Sequence, residues 1–425
     1  MKNYVVIGYP RLVRLNPNIP WKTRGNGALC IQIGNKEVPG GQKIGEIDGE
    51  DVFSSMSFTS ELPKPDQDKV HEIIKAILKK QAYLSDENTN PGFVVLTKKP
   101  NSDIYEKAVK QIVTLDEIMA TLHHLDAVFE GYKNQRGLIG ATAATSWDPV
   151  DRTFELIAYR TRKRWGTKRR VDVNSVKKMD AAFPLLFDNY DFRNHHNRIT
   201  PNSPCPILFG IRGDEVEELK QAMKTVNSEP IDSWLIFETN QGTDDHLQHK
   251  QIVDIESFES VIVEGQVTKE PYTIQGGHVV FTIADGSGTI PCVAYEPTKE
   301  FRTIVRQLLK GDVLTVYGGV RKQPLSINLE KIFIKQLSIM KIKKENPLCP
   351  VCKKHMKSKG TGQGYKCIRC KTTSNEPVLW EPPRSITSGF FEVPVCARRH
   401  VSKPLKRLRR YQPSNDHSIG TVYTP

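Results

Sequence analysis

Residues 349–370 read CPVCKKHMKSKGTGQGYKCIRC, so that Cys349-Pro-Val-Cys352 is answered fourteen residues later by Cys367-Ile-Arg-Cys370. Two Cys-x2-Cys pairs at that separation can close around one tetrahedral ion, each pair forming a tight knuckle that presents two thiolates. Gly360, Gly362 and Gly364 lie in the intervening loop, where the chain must reverse to bring the second knuckle to the first. The expectation is a zinc ribbon over 345–380 with Cys349, Cys352, Cys367 and Cys370 as ligands. A shell of four sulfurs leaves no position for water or substrate, so the metal would be structural. Two disulfides or four idle thiols are the alternative. Nothing else in the chain suggests an oxidising compartment, and Cys30, Cys205, Cys292 and Cys396 are scattered in segments of different character.

On the N-terminal side of the ribbon the pattern is of strands only. SVIVEGQV, HVVFTIAD, GTIPCVAYE, DVLTVYGGV and LSINLEKI follow one another between Phe258 and Ile334, with turn glycines at Gly276-Gly277 and Asp285-Gly286 and one helix at 298–309. Five strands with a helix before the fourth match an OB-fold barrel, expected over 257–340, whose open face suits single-stranded nucleic acid or another ligand. A small β-domain that merely bridges its neighbours remains the plainer reading.

The first 255 residues mix α and β. Short strands (YVVIGY, ALCIQIG, EIDGEDVFS) precede helices expected at 68–84, 104–112 and 115–125, and another opens at Gly137-Leu-Ile-Gly140. Strand 205–212, helix 215–226 and strand 234–239 make a compact βαβ unit. The fold class expected is multidomain α+β: a mixed α/β domain over 1–195, a domain holding the βαβ unit over 196–255, the OB barrel, the ribbon and a basic C-terminal tail over 381–425.

With 61 Lys and Arg against 48 Asp and Glu, the chain carries a net charge of +13. The excess is concentrated. YRTRKRWGTKRR (159–170) and CARRHVSKPLKRLRR (396–410) hold seven Lys/Arg each, interleaved with aromatics only in the first. Such runs fit a polyanion, since each neutralised phosphate releases counterion, although a charge run can equally be a solvated face. No stretch approaches the roughly 18 apolar residues of a membrane span and the start lacks a signal-peptide pattern, so a cytoplasmic protein without a membrane partner is expected. No P-loop pattern is present. Arg11 to Asn26, RLVRLNPNIPWKTRGN, packs Arg11, Arg14, Lys22, Arg24, Asn16, Asn18 and Asn26 around a glycine-flanked loop that could cradle phosphates, or could be an ordinary turn. Gly137 and Gly140 open a helix whose N–H groups could attract an anion.

Six segments in order then become recognisable: PRLVRLNPNIPWKTRGNGA, RGLIGATAA, TFELIAYR, ITPNSPCPILFGIRGD, IFETNQGTDDHL and, after the OB-like segment and the ribbon, ARRHVSKPLKR. Together they closely resemble the archaeal tRNA 2-agmatinylcytidine synthetase family, over residues 1 to about 410. The resemblance implies an ATP-dependent, C–N bond-forming ligase that activates C2 of the wobble cytidine of the isoleucine tRNA with a CAU anticodon and installs agmatine there, so that AUA is read as isoleucine. ATP, Mg2+ and structural Zn2+ are the implied cofactors, and the resemblance implies that 1–195 is a kinase-like, cytidine-activating α/β domain, N-terminally incomplete, and 196–255 a ferredoxin-like one.

On that footing the phosphate loop maps to Arg14, Asn16, Asn18, Thr23, Gly25 and Asn26, with Gly137 and Gly140 as a second element. Lys22, Arg24 and Asp191 are the expected catalytic groups. Agmatine is assigned to Asp188 and Asp214, and Thr239, Asn240, Gln241, Gly242 and Asp244 are pocket polars. Arg398, Arg399, Lys406 and Arg407 are expected on tRNA phosphates. A non-catalytic binder of tRNA or single-stranded nucleic acid is the alternative. The family pattern also includes an aspartate-rich strand and turn of the form GIDDTDS, which nothing before Tyr4 matches. The expectation is a true start ~40 residues upstream and little activity from these 425 residues alone. Sequence gives no oligomeric state.

Overall fold

The computed structural model describes residues 4–21, 26–35, 41–55 and 64–408. The N-terminal half is built on one seven-stranded sheet. β1 (Tyr4–Arg14), β2 (Gly27–Asn35), β3 (Gln42–Ile47) and β4 (Glu50–Ser55) are followed by α1 (Lys64–Gln81), β5 (Gly92–Val95), α2 (Asp103–Lys110), α3 (Leu115–His124), β6 (Val128–Gly131) and α4 (Gly137–Ser146). Then come β7 (Thr153–Arg160), α5 (Val173–Ala182), β8 (Tyr190–Asp191), β9 (His196–Asn197), β10 (Ile207–Gly213), α6 (Val216–Thr225) and β11 (Ile231–Thr239). The strand order is β10-β7-β11-β3-β4-β1-β2, with β1 also pairing β11 in parallel through Arg11 and Leu12. α2, α3 and α4 pack with Val13 and Leu15 around Trp147, whereas α5 and α6 form a second core with Leu156, Leu208 and Ile236.

Local chemistry explains most element ends. α3 begins on a reciprocal cap between Thr114 and Glu117, and Asp172 accepts the N–H groups of Asn174 and Ser175 to start α5. The segment EIDGEDVFS, expected as one strand, is a hairpin. Asp48 (φ +54) and Gly49 (φ +77) are both left-handed, the conformation a tight two-residue connection requires, so the chain turns there and gives β3 and β4.

The expected division at 195/196 falls between β7 and β10, which are hydrogen-bonded over Glu155↔Arg212 and neighbouring pairs. Strands far apart in sequence share the sheet, so a boundary placed from local pattern cuts through it.

The second half is a closed barrel. β12 (Leu247–His249), β13 (Ser260–Thr273), β14 (Val279–Ala284), β15 (Thr289–Ala294), α7 (Phe301–Val305), β16 (Val313–Arg321) and β17 (Ser326–Gln336) form it, with β13 pairing both β14 and β16. Its interior is filled by Val261, Val263, Phe281, Ile283, Leu314, Val316, Ile332 and their neighbours. The ribbon follows as two-stranded and three-stranded pieces over 342–380. From there the chain returns to the barrel: β18 (Gly389–Glu392) pairs antiparallel with β17, and the path to α8 (Leu405–Leu408) lies against the N-terminal half.

Candidate active site

In the ribbon, the sulfurs of Cys349, Cys352, Cys367 and Cys370 all lie within 4.8 Å of one another. Cys349 and Cys367 are buried, and Cys370 N–H donates to Cys367 Sγ at 3.3 Å, the knuckle geometry that turns a thiolate inward. Four convergent soft donors fit a tetrahedral zinc ion and close its coordination shell. Met356 and Tyr365 are the only other buried side chains of this small core, so without metal little would hold it together.

A cleft of about 550 Å3 lies between β1, β2, α1, the segment after β5 and the end of α4. Arg11, Gln32, Thr97, Lys98, Lys99, Arg152 and Glu238 line it beside an apolar floor of Ile7, Ile31, Val70 and Ile74. Glu238 takes Arg11 Nε at 3.2 Å on one oxygen and Arg152 Nη1 at 2.7 Å on the other, and Arg11 also donates to Trp147 O at 3.0 Å. A single carboxylate thus fixes two guanidinium groups at the cleft wall. Concave shape, apolar floor and convergent cations suit a nucleotide.

Across the sheet from this cleft is a polar seam. Arg11 and Arg14 are three residues apart in an unbroken stretch of β1, so they leave opposite faces. Arg14 meets Glu155 at 4.0 Å, and Arg212 Nε lies 3.2 Å from the other oxygen of Glu155. The segment after β11 closes the seam. Asn240 brackets Arg14, accepting its N–H at 2.7 Å and donating to its carbonyl at 2.8 Å, and it donates to Tyr105 Oη at 2.7 Å. Thr239 Oγ1 donates to Leu12 O at 2.5 Å. Gln241 donates to Glu155 at 2.5 Å, and its own Oε1 lies 2.9 Å from His400 Nδ1. Gly210 is needed beneath: a Cβ there would stand 2.7 Å from Glu155 Oε1. Burial lowers the pKa of Arg14, and burial together with Arg14, Arg212 and Arg198 drives that of His400 well below the usual imidazole value.

The residues singled out from sequence divide accordingly. Asn16 and Asn18 are engaged by the protein itself. Asn16 is 1% exposed and donates to Gln111 O and Phe258 O, and Asn18 donates to Glu259 O and Ser260 Oγ, both at 2.8 Å, so the two amides sew β1 to the barrel. Asn26 donates to Asn16 O at 2.7 Å. Lys22, Thr23, Arg24 and Gly25 lie outside the described residues. Gly137 and Gly140 serve close packing: a Cβ on Gly137 would be 2.2 Å from Gly92 N, and one on Gly140 3.2 Å from Leu15 Cδ1. The start of α4 is thereby covered by the 90–92 backbone.

The acids assigned to agmatine are already engaged. Asp188 pairs with Arg398, Asp214 accepts Arg407 Nε at 2.6 Å, and Asp191 accepts the N–H groups of Asn194 at 3.0 Å and Cys396 at 2.9 Å. Burial would raise the Asp191 pKa, but those backbone donors outweigh it and hold the carboxyl low.

Asp244 accepts Lys331 Nζ at 2.6 Å and Lys403 N–H at 2.7 Å, while Gly242, at φ +69, donates its N–H to His400 O.

Arg398 and Arg407, expected on tRNA phosphates, are instead held in buried ion pairs. Arg407 is fully buried between Asp151 and Asp214, over the ring of Phe187, and Arg398 is 9% exposed between Asp188 and Glu392. Arg399 lies 3.4 Å from Glu330 and donates to Asn18. Of the four, Lys406 alone is exposed. Residues 389–408 are therefore a strap joining barrel to N-terminal half, not a tail; carboxylates distant in sequence absorb the positive charge, which no local reading shows. Sequence reasoning also missed Glu155, Tyr105, Arg198, Arg212 and His400, which lie in or near motifs quoted above but gain meaning only when β1, β7, β10 and the strap meet.

Comparison with known proteins matches the same modules. The family model described as the TiaS TCKD domain matches residues 1–134, the TiaS FLD domain 135–246, an OB-fold nucleic acid binding domain 261–334 and the TiaS C-terminal zinc ribbon domain 346–386. The isoleucine-tRNA 2-agmatinylcytidine synthetase TiaS of Archaeoglobus fulgidus is 41% identical over 411 residues, covering 95% of this chain and 90% of its own. That of Methanocaldococcus jannaschii is 42% identical over 412 residues, covering 95% and 91%. Among solved structures, the complex of TiaS with its isoleucine tRNA and ATP superimposes with a TM-score of 0.80 at 38% identity, covering 98% of this chain and 91% of that one. The complex of TiaS with the tRNA, AMPCPP and agmatine does so with 0.78 at 36%, covering 99% and 91%. Similarity of this depth, spread across every module in the same order, places the chain in the TiaS family.

Proposed function

We propose that the protein is an ATP-dependent ligase that attaches agmatine to C2 of the wobble cytidine in the CAU-anticodon isoleucine tRNA. The observation that carries this reading is the match of about 40% identity across 95% of the chain to isoleucine-tRNA 2-agmatinylcytidine synthetases. The chemistry asks for what the site offers. A C2 carbonyl oxygen leaves poorly, so a phosphoryl group from ATP must first be placed on it. The neutral primary amine of agmatine then forms the C–N bond as the C–O bond breaks, the oxygen departing on phosphate and the amine losing its proton.

In this reading the cleft at Arg11, Lys98, Lys99 and Arg152 receives the triphosphate, with Lys22 and Arg24 as candidates to act on the transferred phosphoryl group. Apart from the four cysteines, no three His, Cys, Asp or Glu groups converge among the described residues. Mg2+ would come on the triphosphate and keep its waters, as it commonly does. Barrel, ribbon and exposed basic surface would hold the RNA. ATP consumption should require both agmatine and this one tRNA. Binding of the tRNA with no agmatine-dependent ATP consumption would leave a nucleic-acid-binding protein instead.

A further inference from the structure

The seam holds a charge that the proposed chemistry has not used. Asn189, fully buried, accepts the N–H of Arg212 at 2.8 Å and donates to its carbonyl at 3.0 Å, while its own carbonyl accepts Arg198 N–H at 3.0 Å. One side chain and one peptide thus set two arginines side by side at the ends of β9 and β10. Arg212 is answered by Glu155. Arg198 is not: among the described residues it makes no ion pair, and its Nε is buried without a hydrogen-bond partner. The nearby acids are committed, Asp188 to Arg398 and Asp191 to the N–H groups of Asn194 and Cys396. Burial lowers the Arg198 pKa, and the charge that acts most on it is the like charge of Arg212. The charges acting on His400 are those of Arg14, Arg212 and Arg198. His400 is half-buried and faces the same group. Its ring is set by relay: Glu155 takes the Gln241 amide N–H, which turns Oε1 toward His400 Nδ1 and makes that nitrogen the donor.

A half-buried cation with no ion pair of its own, opposed only by the committed charges of Asp188 and Asp191, costs free energy that a bound anion would reduce. Planar guanidinium forks converging from separate elements suit a tetrahedral oxyanion, and β1, β10 and β11 run in the same direction, so their carboxyl ends share the edge where Arg14, Arg212 and Gln241 lie. We infer that Arg14, Arg198, Arg212 and His400 form a phosphate-binding site on the opposite face of the sheet from the nucleotide cleft. The inference rests on the reading above, in which phosphates arrive both on ATP and in the RNA backbone.

The test uses the full chain and Arg198→Gln, with inorganic phosphate as the first probe. Wild type should melt higher in phosphate than in chloride of equal ionic strength. Arg198→Gln should melt at or above wild type in chloride, lose the phosphate-dependent rise, and regain part of it as Arg198→Lys. If the occupant is an RNA phosphate, Arg198→Gln should flatten the slope of log affinity for the transcribed tRNA against log salt by about 0.7–0.9 with ATP affinity unchanged. If it is a nucleotide phosphate, ATP affinity should fall about tenfold and the RNA slope stay. No phosphate effect on wild type, an undiminished effect on the variant, or a variant already unstable in chloride would each overturn the assignment. None of these readouts depends on agmatine transfer, so failure here and failure of the proposed reaction are separable.

Discussion

Two basic runs that look alike in the sequence, 159–170 and 396–410, come to opposite ends in the structure. In the first, Arg160 is buried against Glu229 at 2.7 Å and Arg169 caps the carbonyls of Pro201, Ser203, Cys205 and Ile207, but Arg162, Lys163 and Lys168 stand in solvent beside Trp165, 44% exposed. In the second, the described cations Arg398, Lys403 and Arg407 meet Asp188, Glu392, Asp151 and Asp214, and only Lys406 is exposed. Equal numbers of cations thus conceal one run that keeps an open, aromatic-flanked surface and one that is a buried fastening. What separates them is whether carboxylates from other elements arrive, and that is decided by the tertiary fold.

The contrast breaks most easily at the fastening. Arg407→Ala should destabilise the chain by about 3–5 kcal/mol, because it removes the buried cation shared by Asp151 and Asp214 and leaves Asp151 with Lys403 alone, measured by chemical denaturation. Loss of RNA affinity with unchanged stability would return Arg407 to the RNA surface. Next in size is the ribbon. Cys349→Ser, or removal of zinc by a chelator, should unfold residues 346–386 locally and weaken tRNA binding well beyond any change in ATP binding, which titrations of each ligand would separate. Equal loss of both would mean that the ribbon supports the cleft.

A pH effect sharpens the same region. Burial, opposed by Lys406, pushes the Asp180 carboxyl up to about 6, and its Oδ1 has no hydrogen-bond partner. For an acid whose folded pKa is raised, the stabilising contribution is present below the unfolded value of 3.8 and is lost as pH rises through about 6. Asp180→Asn should therefore raise stability at pH 8 by roughly 1–3 kcal/mol and change it little at pH 4, as paired denaturation curves would show. The smallest structural effect belongs to the open run. Arg162→Ala with Lys163→Ala should shift stability by no more than about 0.5 kcal/mol, yet flatten the salt dependence of tRNA affinity by about 0.7–0.9 per lost contact. An unchanged slope would make this surface a solvated face.

The sequence was most legible where structure is local. Spacing alone identifies the four ribbon cysteines, and strand alternation with Gly276-Gly277 and Asp285-Gly286 turns gives the barrel and its helix before the fourth strand. Legibility failed with sequence distance. The stretch Arg11–Asn26 looks like one phosphate loop, but Arg11 lines the cleft, Arg14 joins the seam and Asn16 and Asn18 bind the barrel, because alternation along β1 sends neighbours to different faces and β1 meets a different partner at each height. The aspartates at 188, 191 and 214 are conspicuous in sequence and spoken for in the fold, whereas Glu155 looks like an ordinary strand residue and organises the seam.

The measurement that bears most directly on the whole account is agmatine incorporation into transcribed CAU-anticodon isoleucine tRNA in the presence of ATP. The account predicts incorporation that requires ATP, agmatine and that tRNA together. Tight tRNA binding with no incorporation would contradict it.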